Sequence, residues 1–140
     1  MSVLNELAAK LAALGVGTVG TDIFLGAMPE DVAACCALYE YGGSAPEFAL
    51  GAPGVAFENP SVQVVFRGTP HDYAGPRAKA ETAYRGLAAV EATALSAGAG
   101  GTSSFYHTVH PMQSPFLLRR DESERVYIAT NYAITKELSA

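Results

Sequence analysis

Val62-Gln63-Val64-Val65-Phe66-Arg67-Gly68-Thr69-Pro70 decides the fold. Successive side chains of a strand point to opposite faces, so Val62, Val64 and Phe66 form one strongly apolar face against Gln63, Val65 and Arg67. A turn at residues 68–70 ends the strand. The period then changes from two to about 3.6: Ala80, Ala83, Tyr84, Leu87 and Val90 fall on one side of residues 72–91, with Arg77, Lys79, Glu81 and Arg85 largely on the other. Asp72 is the natural cap of this helix, yet Pro76 then takes the fourth helical position, where its ring clashes with the preceding turn. Either the regular helix begins at Pro76 or its first turn is distorted.

Upstream, Val3, Leu4, Leu7, Leu11 and Leu14 recur at helical spacing, with Ala8 on the same stripe. Ser2 can cap this first helix, and Gly15 and Gly17 stop it. Residues 21–25 and 34–41 are short apolar or aromatic runs separated by the turn signal Met28-Pro29-Glu30-Asp31, and read as strands. Residues 42–60 hold Gly42, Gly43, Gly51, Gly54, Pro46, Pro53 and Pro60 without a period, which predicts a long irregular loop. Downstream, residues 97–104 read as a Gly- and Ser-rich connection and residues 105–110 as a strand. Residues 125–135 form the last strand, with Val126, Ile128, Tyr132 and Ile134 on one face and Asp121 to Glu124 as the turn before it. The expected class is α+β: one domain over residues 1–140, with a mixed or antiparallel sheet and the helices at residues 3–14 and about 76–91 packed on one face.

Charged residues make up 16% of the chain against about a quarter in ordinary soluble domains, which suits a subunit that buries surface against partners. The charge is uneven. Residues 1–60 carry one base, Lys10, against seven acids, whereas residues 61–140 carry eight bases and seven acids. An acidic half disfavours a phosphate-gripping surface, since nucleic-acid affinity comes largely from Lys and Arg displacing counterions. There is no run of about 18 apolar residues and no signal-peptide pattern, so a cytoplasmic protein is expected before use.

No coherent catalytic set emerges. Cys35 and Cys36 are adjacent, an arrangement that strains a mutual disulfide, and read as core thiols. His107 and His110, three apart on a strand, point to opposite faces and cannot easily share an ion. Residues 98–104 imitate a phosphate cradle only in composition, lacking the Lys of a P-loop and a following helix. No Gly-x-Ser-x-Gly elbow is present. Asp121, Glu122 and Glu124, flanked by Arg119, Arg120 and Arg125, read as solvated hairpin charges in reach of a neighbouring subunit.

Several stretches together resemble the tail terminator proteins of long-tailed bacteriophages, often labelled minor capsid proteins. They are Leu38-Tyr39-Glu40-Tyr41-Gly42-Gly43; Val62 to Gly68 with Tyr73 and the Ala- and Arg-rich helix; Gln113-Ser114-Pro115-Phe116 with Arg120-Asp121-Glu122; and Asn131-Tyr132. In order and spacing they cover nearly the whole chain. Pro76 and Cys36 depart from the pattern.

The resemblance implies a non-enzymatic virion subunit, without cofactor, that forms a hexameric ring on the last ring of tail-tube protein. Such a ring halts tube growth and offers its other face to head-completion or stopper proteins. On that basis Glu47, Glu58, Arg119, Arg120 and Asp121 are candidates for the assembly interface. Asp22, Glu30, Asp31 and Glu40 are candidates for a lumen through which DNA slides without specific binding, carboxylates repelling the duplex. The alternatives are a neighbouring connector or stopper protein and, from another class, a small cytosolic ligand-binding domain or hydrolase, which needs a deep pocket with convergent polar groups.

Overall fold

The structure of the chain is a computed structural model that describes residues 3–48, 55–96 and 103–137. The element order is α1 (Val3–Ala13), β1 (Ile23–Leu25), β2 (Cys35–Phe48), β3 (Val55–Pro70), α2 (Ala74–Ala88), β4 (Glu91–Ser96), β5 (Ser103–Pro111), β6 (Phe116–Arg120) and β7 (Arg125–Glu137). Seven strands make one mixed sheet in the order β1-β2-β3-β7-β5-β4; β6 also pairs with β7. Only the β1–β2 pairing among these is parallel. The chain is α+β, as the alternation of helical and strand periods implies.

Val62, Val64 and Phe66 are at most 2% exposed and share one cluster with Val126, Ile128, Tyr132 and Ile134 of β7. Leu7 and Leu11 of α1 and Ala80, Ala83 and Leu87 of α2 enter the same cluster. The sheet curves into a half-barrel, so the expected packing of both helices on one face is not clearly realised. Instead α1 touches both edge strands, β1 and β4, while α2 packs against β3, β5 and β7.

Pro76 fits without distortion because the helix starts one residue later than an Asp72 N-cap would place it. Tyr73 is the N-cap, Pro76 is the third helical residue, and its missing N–H is one that no helix uses in its first turn. Asp72 still serves the helix start, its Oδ1 accepting from Gly75 N–H at 3.0 Å. At the end of α1, Gly15 takes φ +84, the left-handed conformation that lets the chain leave the helix. The Ser2 cap and most of the Gly-rich connection at residues 97–104 lie outside the described residues.

The loop expected at residues 42–60 is corrected. β2 runs to Phe48 and β3 begins at Val55, paired through Ser44↔Asn59, Glu47↔Phe57 and Phe48↔Val55 with register shifts between them. Those bulges erase the period-two signal, and at Gly43 the backbone of Asn59 leaves no room for a Cβ. Asn59 holds the irregular stretch together, donating to Ala45 O and Glu47 Oε2 and accepting from Thr135. No helix among the described residues is long and apolar enough to cross a membrane.

Candidate assembly surfaces

The outer face of the sheet, opposite the main core, is organised by two buried arginines. Alternation places Arg67 and Tyr127 there as register partners on β3 and β7. Arg67 is 3% exposed and donates to the backbone carbonyls of Pro29, Val32 (2.6 Å) and Ala33 (3.0 Å), strapping residues 26–34 over the sheet. Arg125 extends the strap, bonding Glu30 Oε2 at 2.6 Å and Asp121 Oδ2 at 2.7 Å. Asp121 also accepts from Tyr127 OH and from the backbone of Ser123 and Arg125. Burial pushes the Asp121 carboxyl up, but the Arg125 and Tyr127 hydrogen bonds win and hold it down at about 2. The Arg125 hydrogen bond likewise lowers Glu30. Arg119 lies over the Tyr127 ring, 4.0 Å from its centroid. These groups line an open, polar cleft of ≈ 390 Å³.

The reading of Asp121 and Arg125 as solvated hairpin charges is therefore corrected. Their side chains are 11% and 9% exposed, because the Asp121 turn folds its carboxylate back onto the start of β7. Arg120 and Glu124 do behave as surface charges, 3.5 Å apart and about half exposed.

Of the candidate interface residues, Glu47 and Glu58 sit on the β2–β3 hairpin and Arg119, Arg120 and Asp121 at the end of β6, so one chain does not bring the two groups together. Glu58 is 3.9 Å from Lys136. Of the candidate lumen residues, Glu30 is tied to Arg125, and Asp22 accepts from Thr18 N–H at 2.5 Å. Asp31 and Glu40 are exposed.

Sequence reasoning missed β4 and β6. β4 is exposed at four consecutive positions, so it carries no alternation. In β6 a register shift between Leu117 and Arg119 leaves Leu117 and Leu118 both exposed, which hides the strand and creates an apolar patch. The uninterrupted Phe-Leu-Leu ahead of a charged turn was the available signal. It also missed a buried ion pair: Glu6 Oε1 accepts from Lys136 Nζ at 2.8 Å and Tyr106 OH at 2.9 Å, all three residues at most 2% exposed.

Among the described residues, no group of three or more His, Cys, Asp or Glu could hold a metal ion. His107 sits 3.4 Å from Glu137, between the ring edges of Phe57 and Phe105. Cys35 and Cys36 are free and buried, and burial pushes both thiols up, away from the thiolate a nucleophile needs.

The family model described as "Bacteriophage tail terminator protein" matches residues 10–138. No curated protein matches the chain. Among solved structures it is similar to a chain of "Virion of native gene transfer agent (GTA) particle", with a TM-score of 0.60 and 13% identity, covering 98% of this chain and 96% of that one. At that identity the likeness speaks for the fold alone. The family match spans the sheet, α2 and both arginine straps, and the chain belongs to the bacteriophage tail terminator family, a structural protein of the phage tail.

Proposed function

We propose that six copies of the chain form a ring at the head-proximal end of the tail tube, end its polymerisation, and join the tail to the head through a head-completion or stopper protein. The family match over residues 10–138 carries this reading. Two features of the molecule support it. Charge is sparse, and large apolar side chains, among them Phe48, Met112, Leu117 and Leu118, stand in water on the single chain. A ring also needs two different, complementary patches per subunit, and the β2–β3 hairpin with Glu47 and Glu58 and the β6 end with Arg119, Arg120 and Asp121 are such a pair. DNA passes through the ring without specific binding. Among the candidate lumen acids, Asp31 is an exposed carboxylate well suited to repel it.

The test is removal of the chain from a phage that encodes it. Tail tubes then grow to uneven, excessive lengths and do not join heads, and supplying the chain in trans restores both. Tubes of normal length that merely fail to join heads would instead assign the chain to a stopper role.

A further inference from the structure

Two backbone edges at opposite margins of the sheet have no strand beside them among the described residues. β1 pairs with β2 at Cys36, Ala37 and Leu38, so β2 is unpaired on its outer side over residues 39–48. β6 is bonded to β7 and to no other strand. The β4 edge is less available, since α1 lies against that strand and Ala92 bends it at φ 47. Open edges invite pairing with another chain, and which chain they accept is set by their side chains.

The two edges carry opposite chemistry. Along β2, Glu40 and Glu47 stand with Tyr41 (45% exposed) and Phe48 (67% exposed), and residues 34–66 contain no Lys or Arg. Along β6, Arg119 and Arg120 follow Leu117 (50% exposed) and Leu118 (41% exposed). Arg119 is held in place by the Tyr127 ring and has no carboxylate partner among the described residues.

We infer that the β2 edge of one copy seats on the β6 edge of the next, Glu40 and Glu47 meeting Arg119 and Arg120 while Tyr41 and Phe48 cover Leu117 and Leu118. The inference rests on the ring reading and names the surfaces that close the ring. The contact is heterologous, so it propagates head to tail and ends in a ring when the rotation closes. The registers add a geometric consequence. Tyr41 is level with Ser61, Ala133 and His110, whereas Leu117 is level with Ile128, Phe66 and Cys36. Joining the two edges therefore staggers neighbours along the strands, the offset by which tilted strands close into a barrel. Like charges placed across such a contact oppose it strongly, which makes charge reversal a sensitive probe.

Two variants of the full chain test this: Glu40→Lys with Glu47→Lys, and Arg119→Glu with Arg120→Glu. All four positions are exposed, and thermal melting by circular dichroism verifies that each variant is folded. Assembly is read by native mass spectrometry of the chain alone and by sedimentation with tail tubes. Each variant by itself loses assembled protein by at least about tenfold, and an equal mixture returns to the native level, because alternating copies put opposite charges at every junction. A folded variant that assembles like the native chain, or a mixture no better than its components, overturns the inference. A native chain that forms rings but does not cap tubes ends the terminator reading and leaves the edges standing; a native chain that stays monomeric alone and on tubes overturns both.

Discussion

Arg67 has carbonyl oxygens and a tyrosine hydroxyl as hydrogen-bond partners, although it is 3% exposed. Its planar fork reaches three carbonyls at once, which a lysine ammonium on a flexible stem cannot do. Arg67→Ala leaves those carbonyls without a donor and is expected to cost about 2–4 kcal/mol, with Arg67→Lys recovering less than half, as read by urea denaturation. Asp121 makes the same surface sensitive to acid. Its carboxyl falls from 3.8 to about 2 on folding, so its contribution is complete above about pH 4 and is lost as pH drops through about 2. Glu30, lowered by the Arg125 hydrogen bond, acts in the same direction. Asp121→Asn should therefore flatten the acid side of the stability curve between about pH 4 and 2, and an unchanged slope would remove Asp121 from the account. Alternation in Val62 to Arg67 placed Arg67 on the outer face correctly. Nothing local to it announced that residues 26–34 fold back across that face, since the partners are backbone carbonyls that any side chain could carry.

At the level of elements, the helix stripes and the strands at residues 62–66 and 125–135 were legible because each has one dry face and a clean period. β4, β6 and the outer hairpin were not, for a shared reason: an edge or a bulge exposes consecutive residues and removes the alternation on which the reading depends. α1 shows a second limit. Glu6, an acid in the first turn of α1, is fully buried and joins α1 to β5 through Tyr106 and to β7 through Lys136. Its Oε2 finds no hydrogen bond among the described residues. Removing one member strands the other in the core, so Glu6→Ala or Lys136→Ala should destabilise by about 3–5 kcal/mol. Replacing the pair together, Glu6→Leu with Lys136→Met, should recover most of that loss in the same denaturation measurement. A double variant as unstable as the singles would mean the pair fixes the position of α1 in a way apolar packing cannot replace.

For the whole molecule, the linear charge split between residues 1–60 and 61–140 proves a poor guide to the surface. Glu6 is buried, Glu30 is taken by Arg125 and Glu58 approaches Lys136, which leaves Glu40 and Glu47 as the acids of the open β2 edge. What the sequence carried more faithfully was the succession of motifs, because family resemblance integrates many weak signals where any one strand has a bland reading. The structural role in the phage tail follows from that match, and the ring is the proposal built on it. In a ring, the exposed carboxylate Asp31 should lie nearer the axis than Arg77 and Arg85; a bore lined by those arginines would end the sliding argument. The most direct measurement adds the purified chain to polymerising tail-tube protein and images the products by cryo-electron microscopy. Tubes should stop lengthening, each capped at one end by a single six-fold ring of this chain. Tubes that keep growing, or that carry the chain along their sides, would contradict the terminator reading.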